Sequence, residues 1–153
     1  MMIARLLAVF AAIAFLGLPS ADARNAADAT PGFAPGQLWS LKSTPPTTAK
    51  IVIGRIEDRN GRTVVHVSIV DVPVPKTIPA PNGTMIIAHL PFDRSALAGS
   101  VDRLLATKAK PAPDFESGYG NWKNAQGGVF TISVPQAIDF VIKSMERTAA
   151  KPN

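Results

Sequence analysis

An Asn-Gly pair between two runs of β-branched residues is the feature that most constrains the fold of this chain. Asn60 and Gly61 separate the run Lys50–Glu57 from the run Arg62–Val72. A two-residue turn of type I′ needs positive φ at both central positions, and Asn and Gly adopt positive φ more readily than other residues. The pair therefore predicts an antiparallel hairpin closed by a two-residue turn.

The register of this hairpin divides its residues between two faces. Counting back from the turn pairs Arg55 with His66 and Ile53 with Ser68. One face then carries only core material, namely Val52, Gly54, Ile56, Val65, Val67 and Ile69. His66 lies on the other, mixed face, and we expect it to be half exposed, as polar residues on the second face of an antiparallel sheet usually are.

Hydrophobic periodicity predicts the remaining elements. The predicted strands are 37–42, 84–90, which Pro91 should stop, and 129–132. The first predicted helix runs from Asp93 or Ser95 to Thr107. The second begins at Asp114 and carries Phe115, Tyr119 and Trp122 on one side. The third runs from the capping box Ser133-x-x-Gln136 to about 147–149. The chain is therefore expected to be an α+β domain. Its antiparallel sheet of four to five strands should be covered on one face by two to three helices, in the order β-β-β-β-α-α-β-α.

Residues 1–23 have the three parts of a secretory signal peptide. Arg5 supplies the positive start, the uncharged run 6–18 follows, and the small residues Ala21 and Ala23 fit the cleavage rule, which places cleavage before Arg24. As a helix, the 13 uncharged residues would span about 20 Å, less than the bilayer core of about 30 Å. We therefore expect export to the periplasm or the medium with no stable membrane anchor. A flexible leader over 24–36 and a single domain over 37–150 should follow.

Composition excludes several classes of function. The chain contains no cysteine, which rules out disulfides, a thiol nucleophile and a cysteine-ligated metal site. Its formal net charge is +5, but the basic residues are scattered and predict no specific nucleic-acid site. An anionic ligand or an envelope protein is the partner that this charge favours. No cofactor loop is present in the sequence, and we expect no cofactor.

His66 and His89, the only two histidines, are the weak candidates for catalysis. His89 stands near a predicted strand end, where Asp93 is close enough in sequence to orient it for hydrolysis, and His66 is the other partner considered. With Asp71 or Asp93 the two histidines could also form a 2-His-1-carboxylate metal site, but their spacing alone does not predict one and we expect no metal. The binding candidates are Arg55, His66, Tyr119 and Trp122, although helical spacing of aromatic residues is more typical of core packing.

Several short phrases, taken in order, resemble a family of small uncharacterised bacterial proteins. These phrases are Gly36-Gln37-Leu38-Trp39, Val64-Val65-His66-Val67, His89-Leu90-Pro91-Phe92, Pro113-Asp114-Phe115-Glu116-Ser117-Gly118-Tyr119 with Trp122, and Gly128-Val129-Phe130-Thr131-Ile132. The resemblance covers about residues 36–145. It implies a shared fold and supplies no activity.

Three functions remain open at this point. The first is a non-enzymatic domain that binds a ligand or a partner in the cell envelope. The second is a small hydrolase that uses His89 with Asp93 or His66, and the third is an inhibitor of an envelope enzyme. The first is favoured because the sequence contains no recognisable nucleophile motif, metal set or cofactor loop.

Overall fold

A five-stranded antiparallel sheet is the centre of the computed structural model, which describes residues 31–150. The strands are β1 (Leu38–Leu41), β2 (Lys50–Arg59), β3 (Arg62–Pro73), β4 (Thr84–Asp93) and β5 (Val101–Ala106), arranged in the order β4-β3-β2-β1-β5. The helices are α1 (Arg94–Ser100), α2 (Phe115–Asn124) and α3 (Val134–Ala149). The predicted α+β class and antiparallel sheet are confirmed. The predicted signal peptide lies outside the described residues.

The turn between β2 and β3 forms as the Asn-Gly pair predicts. Asn60 has a φ of 53° and Gly61 a φ of 75°, the positive values that a type I′ turn requires. Arg59 pairs with Arg62, and Arg55 pairs with His66. The local sequence therefore sets the register of the first residues on each side of the turn.

Further from the turn, a β-bulge at Gly54 shifts the register. Ile53 pairs with Val67 rather than with Ser68, because Gly54 is an extra residue between two paired positions of β2. The shift moves Ile51 and Ile53 onto the apolar face that was predicted to carry Val52. A Cβ on Gly54 would lie 2.3 Å from Cζ of Phe115, so only glycine leaves room for that ring.

A second bulge interrupts β4 at the same level of the sheet. Val67 pairs with Leu90 and Ile69 with Ile87, so that Ser68 opposes both Ala88 and His89. The strand then continues through Pro91 to Asp93, and the prediction that Pro91 ends it is wrong. The position of β4 at the edge of the sheet explains this, since an edge strand tolerates a residue without an N–H.

Phe130 extends this edge without forming a full strand. Its N–H donates to the Pro91 carbonyl at 2.9 Å, and its carbonyl accepts from the Asp93 N–H at 2.9 Å. The strand predicted for 129–132 is thus reduced to a single parallel bridge between Phe92 and Phe130.

The first predicted helix is split between two elements. α1 begins after Asp93, whose side chain caps it by accepting from the Ser95 N–H, but the helix ends at Ser100. Residues 101–106 instead form β5, with Val101 paired to Leu41. The free backbone groups at the edge of β1 pair with this segment. The apolar side chains whose spacing predicted a helix are not all buried in the strand, since Leu104 and Leu105 are each 44% exposed. The order of elements is therefore β-β-β-β-α-β-α-α.

The helices lie on both faces of the sheet and not on one. Leu97 of α1 and Val134 of α3 belong to the same buried cluster as Val65, Val67 and Ile69 of β3. α2 contacts His66, which alternates with Val65 and Val67 and therefore points to the opposite face. The capping box at the start of α3 is present as predicted, with Ser133 and Gln136 bonded reciprocally.

The apolar cluster includes a residue that was assigned to the leader. Phe33 is 8% exposed and packs edge-on against Trp39, with their ring centroids 5.8 Å apart. The N–H of Gly36 donates to the Ile53 carbonyl at 2.8 Å. Ordered packing therefore begins before residue 37 because Phe33 covers apolar surface that the sheet would otherwise expose. Within residues 31–150, no helix is long and apolar enough to cross a membrane.

Candidate functional site

The two histidines meet beneath α2. Nδ1 of His66 lies 3.0 Å from Nε2 of His89, although the two residues are 23 positions apart in the chain. β3 and β4 are neighbours, and the bulge in β4 places His89 on the same face as His66. The predicted half-exposed position of His66 is wrong, because its exposed fraction is 0%. α2 covers the face on which His66 lies.

Glu57 and Tyr119 extend the pair into a polar chain. The Tyr119 hydroxyl donates to Oε2 of Glu57 at 2.8 Å, and Oε1 of Glu57 lies 3.4 Å from Nε2 of His66. That second contact lacks hydrogen-bond geometry, which leaves Nε2 of His66 as the buried side-chain atom without a hydrogen-bond partner among residues 31–150. Since a carboxylate only accepts, the consistent assignment puts a proton on Nε2 of His66 and lets its Nδ1 accept from His89.

Burial keeps both imidazoles neutral at pH 7. Removal from water lowers the pKa of His66 more than the nearby Glu57 carboxylate raises it. Removal from water, together with the charge that His66 can carry, lowers the pKa of His89 to about 4. Burial alone would raise the pKa of Glu57, but the Tyr119 hydroxyl and the His66 ring outweigh it and lower that pKa. The contact between Glu57 and His66 is therefore not an ion pair at neutral pH.

Two glycines allow α2 to approach the sheet this closely. A Cβ on Gly118 would lie 2.7 Å from Cβ of His89, and the Phe115 ring occupies the space over Gly54. The buried Ser68 hydroxyl holds the segment before the helix, donating to the Ala88 carbonyl at 2.7 Å and accepting from the Ala112 N–H at 2.9 Å. Asp114 stands at the N-cap position but makes no side-chain capping bond. The helix is positioned by close packing more than by its own cap.

A rim of cations surrounds the aromatic side chains of α2. The guanidinium of Arg55 lies 4.4 Å from the centroid of Tyr119, and that of Arg59 lies 4.9 Å from the centroid of Trp122. Arg55 also pairs with Glu116 at 3.1 Å. Arg59 has no carboxylate partner among the described residues, and its polar contact is a 3.4 Å bond to the Gly127 carbonyl. Lys123, whose Nζ lies 5.6 Å from the centroid of Tyr119, likewise has no carboxylate partner among the described residues. Arg59 is therefore one of two cations in this rim whose charges stay uncompensated, and it is the one beside Trp122.

Two clefts adjoin at this rim. The first, of about 280 Å³, is lined by Arg59, Asn60, Arg62, Val64, Gly127 and Val129. The second, of about 350 Å³, is lined by Pro91, Trp122, Gly128, Val129 and Phe130. Both contain Val129, so the basic cleft and the apolar cleft share a wall. A third cleft, of about 630 Å³, lies beyond Arg62 and includes Asp93, Arg94 and Ser95.

The structure joins most of the residues that the sequence singled out. Arg55, His66, Tyr119 and Trp122 form one contiguous cluster, in which His66 lies edge-on to both aromatic rings. His89 joins the cluster through His66. Phe115 and Tyr119 are buried, whereas Trp122 is half-buried, so the predicted core stripe includes a partly open residue at its end.

Asp93 does not orient His89. Its carboxylate accepts from the N–H and the hydroxyl of Ser95, which lower the pKa of Asp93, and it also faces Nε of Arg62 at 3.4 Å. Within residues 31–150, no group of three or more His, Cys, Asp or Glu side chains could hold a metal ion.

Sequence reasoning missed Arg59 and Arg62 as site residues. One signal could have identified the arginines, because the predicted turn already put two like charges directly opposite each other. Such cross-strand pairs destabilise a hairpin unless something compensates them.

Comparisons of the chain with family models, with curated proteins and with solved structures found no match.

Proposed function

We propose that this protein is an exported, non-enzymatic binding protein of the cell envelope that takes an anionic ligand in the cleft between Arg59 and Arg62. The observation that carries the proposal is the placement of these arginines. They are direct cross-strand partners, and both line the cleft of about 280 Å³. An anion between the two guanidinium groups would turn an unfavourable pair into a favourable one.

The charges around the cleft support this assignment. Asp93 compensates part of the Arg62 charge, because its Oδ2 lies 3.4 Å from Nε of Arg62 while both bonds from Ser95 go to Oδ1. Arg59 keeps its charge without a carboxylate partner in the part of the chain that the structure describes. The net charge of +5 adds a weak attraction for anions over the whole molecule.

Binding of inorganic phosphate to the purified protein tests the proposal directly. Calorimetric titration should show binding that weakens by about tenfold or more in Arg59→Gln and in Arg62→Gln, because each loses one charge-assisted contact. Arg103→Gln is the matched control, since Arg103 is exposed on β5 and pairs with its neighbour Asp102. Equal binding in all three variants would remove the cleft from consideration.

A hydrolase remains the second candidate because Glu57, His66 and His89 form one chain of contacts. A general base works best with a pKa near the operating pH, whereas the pKa of His89 is about 4. No hydroxyl group bonds to either imidazole among residues 31–150. These observations favour binding over hydrolysis.

Turnover by the purified protein separates the two candidates. Ester, peptide and peptidoglycan substrates should be left intact by the wild-type protein. Hydrolysis that is lost in His89→Ala would favour the enzyme instead. A single stoichiometric partner recovered from a periplasmic extract would favour the inhibitor.

Export is the part of the proposal that rests on the sequence alone. Sequencing the N-terminus of protein recovered from the periplasm or the medium should give Arg24 as the first residue, because Ala23 completes the cleavage site. An intact Met1 on most molecules in a membrane fraction would contradict it.

A further inference from the structure

Beside the basic cleft, the second cleft presents an almost purely apolar surface. The carbonyl of Pro91 and the N–H of Phe130 bond to each other at 2.9 Å, and the Phe130 carbonyl is used by the Asp93 N–H. The indole N–H of Trp122 donates to the Gly128 carbonyl at 2.8 Å. These polar groups are therefore already paired, and the cleft offers a ligand two aromatic rings, a proline and a valine.

The Trp122 wall of this cleft is held in place before any ligand arrives. A Cβ on Gly127 would lie 2.3 Å from Cδ1 of Trp122, so the chain passes directly against the indole. His66 packs edge-on against the same ring, with their centroids 4.7 Å apart. Because Gly127 and His66 hold the indole on two sides, Trp122 loses little side-chain freedom when a ligand packs against it.

Arg59 connects the two clefts. Arg59 lines the basic cleft, and its guanidinium lies 4.9 Å from the centroid of Trp122, which lines the apolar cleft. A ligand whose charge pairs with Arg59 therefore has its next atoms beside Trp122. The apolar cleft holds about 350 Å³, near the lower limit of about 300 Å³ for small-molecule sites, which fits one ring better than a long chain.

From this juxtaposition we infer that the ligand is a small aromatic anion. Its charged group lies between Arg59 and Arg62, and its ring lies between Trp122 and Phe130. Stacked or edge-to-face contacts with two aromatic side chains favour a planar ring over an alkyl chain of similar size. The inference rests on the proposed function, because it requires an anion at Arg59.

Three phosphate probes of different organic content test the inference on the purified protein. Phenyl phosphate should bind at least about tenfold more tightly than inorganic phosphate, and more tightly than hexyl phosphate. Equal affinity for phenyl and inorganic phosphate, with both weakened in Arg59→Gln, would overturn this inference and leave the proposed function standing. Absence of binding by every probe would overturn both. Hexyl phosphate binding as tightly as phenyl phosphate would overturn the aromatic assignment.

Fluorescence provides a readout at the site itself. The chain has two tryptophans, and Trp39→Phe leaves Trp122 as the single reporter while preserving an aromatic ring against Phe33. Phenyl phosphate should change the emission of Trp122 in this variant, and an unchanged emission at saturation would place the ring elsewhere.

A matched pair of variants separates the loss of a ring from the cleft from the loss of a ring beside it. Phe130→Leu removes one ring from the cleft and should reduce the advantage of phenyl phosphate several-fold. Phe140→Leu is the control, because Phe140 is 56% exposed and lies outside the lining of the cleft, which it adjoins through its edge-on contact with the Phe130 ring at 6.4 Å. An equal loss in both variants would contradict the inference.

Discussion

The two faces of the sheet are buried by different means. Under α1 and α3, the side chains of β2 and β3 meet Leu97 and Val134 in a mostly apolar core. Its buried hydroxyl, that of Ser100, donates to the Ala96 carbonyl and accepts from the Val134 N–H. Under α2, the same strands present His66, Ser68 and Glu57 to a helix that brings Phe115 and Tyr119. The first face is stabilised mainly by removal of apolar area from water, whereas the second buries several polar side chains that need hydrogen-bond partners.

The difference shows in how each helix fits. α1 and α3 cover their face with apolar side chains, and other apolar side chains of similar volume could replace them with little loss of stability. α2 lies so close that Gly54 and Gly118 have no room for a Cβ, and β-bulges flank Ser68 on both neighbouring strands. Bulges are frequent beside functional sites because they redirect side chains, and here they bring His89 to His66. The polar face is the more specialised of the two.

Deleting a side chain from the apolar face should have the largest effect. Leu97 is fully buried, and Leu97→Ala should lower the free energy of unfolding by about 2–5 kcal/mol through lost burial and the cavity left behind. Leu105→Ala, at a residue 44% exposed, should change it by less than about 0.5 kcal/mol. Urea unfolding of both variants measures this, and similar losses in the two would refute a core centred on that face.

A glycine pair in α2 tests the fit of the polar face. Gly118→Ala forces a Cβ against His89 and should destabilise the protein by about 1–3 kcal/mol. Gly120→Ala meets nothing within 4 Å and should stabilise it by up to about 1 kcal/mol, because alanine favours helix. Thermal unfolding of the two variants should therefore shift in opposite directions, and stabilisation by both would mean that α2 has room to move.

Acid should destabilise the polar face before the apolar one. In the unfolded chain His89 gains a proton near its ordinary pKa of 6.5, whereas in the folded protein it does so only near 4. Stability is therefore complete above pH 6.5 and falls as the pH drops from 6.5 to about 4. The lowered pKa values of Glu57 and Asp93 add a further loss as the pH falls below their ordinary values of 4.5 and 3.8, because folding stabilises both carboxylates in their charged form.

The melting temperature measured against pH checks this dependence. His89→Gln should flatten the decrease between pH 6.5 and 4, leaving the smaller contribution of His66. A wild-type melting temperature that is constant over this range would contradict the burial of the pair.

The smallest effect should come from the ion pair between Arg55 and Glu116 on the surface. Both side chains are largely exposed, so Glu116→Gln should cost no more than about 1 kcal/mol. Unfolding in low and high salt measures it. A larger loss would mean that charge, rather than ring packing and glycine fit, holds α2 on the sheet.

Some of the fold follows from the sequence because the determining contacts are local. Asn60 and Gly61 set the turn through their own φ values, and Ser133 and Gln136 start α3 within one turn of helix. The sequence also indicates Arg55, His66, Tyr119 and Trp122 as binding candidates, but it does not predict that they form one cluster. The burial of these residues could not be predicted, because the sequence predicts all the helices on one face of the sheet, whereas α2 covers the other face.

The sequence by itself determined the hairpin, its first register pairs, the cap of α3 and the α+β class, since each depends on residues close together in the chain. For α1 it left Asp93 and Ser95 as alternative caps, and the structure shows Asp93. Only the tertiary structure decided that residues 101–106 form a strand, because the free edge of β1 supplies their hydrogen-bond partners. It likewise decided the bulge at Gly54, which exists to admit a ring 61 positions later. The meeting of His66 with His89 depends on the second bulge and on the approach of α2, which only distant residues can specify.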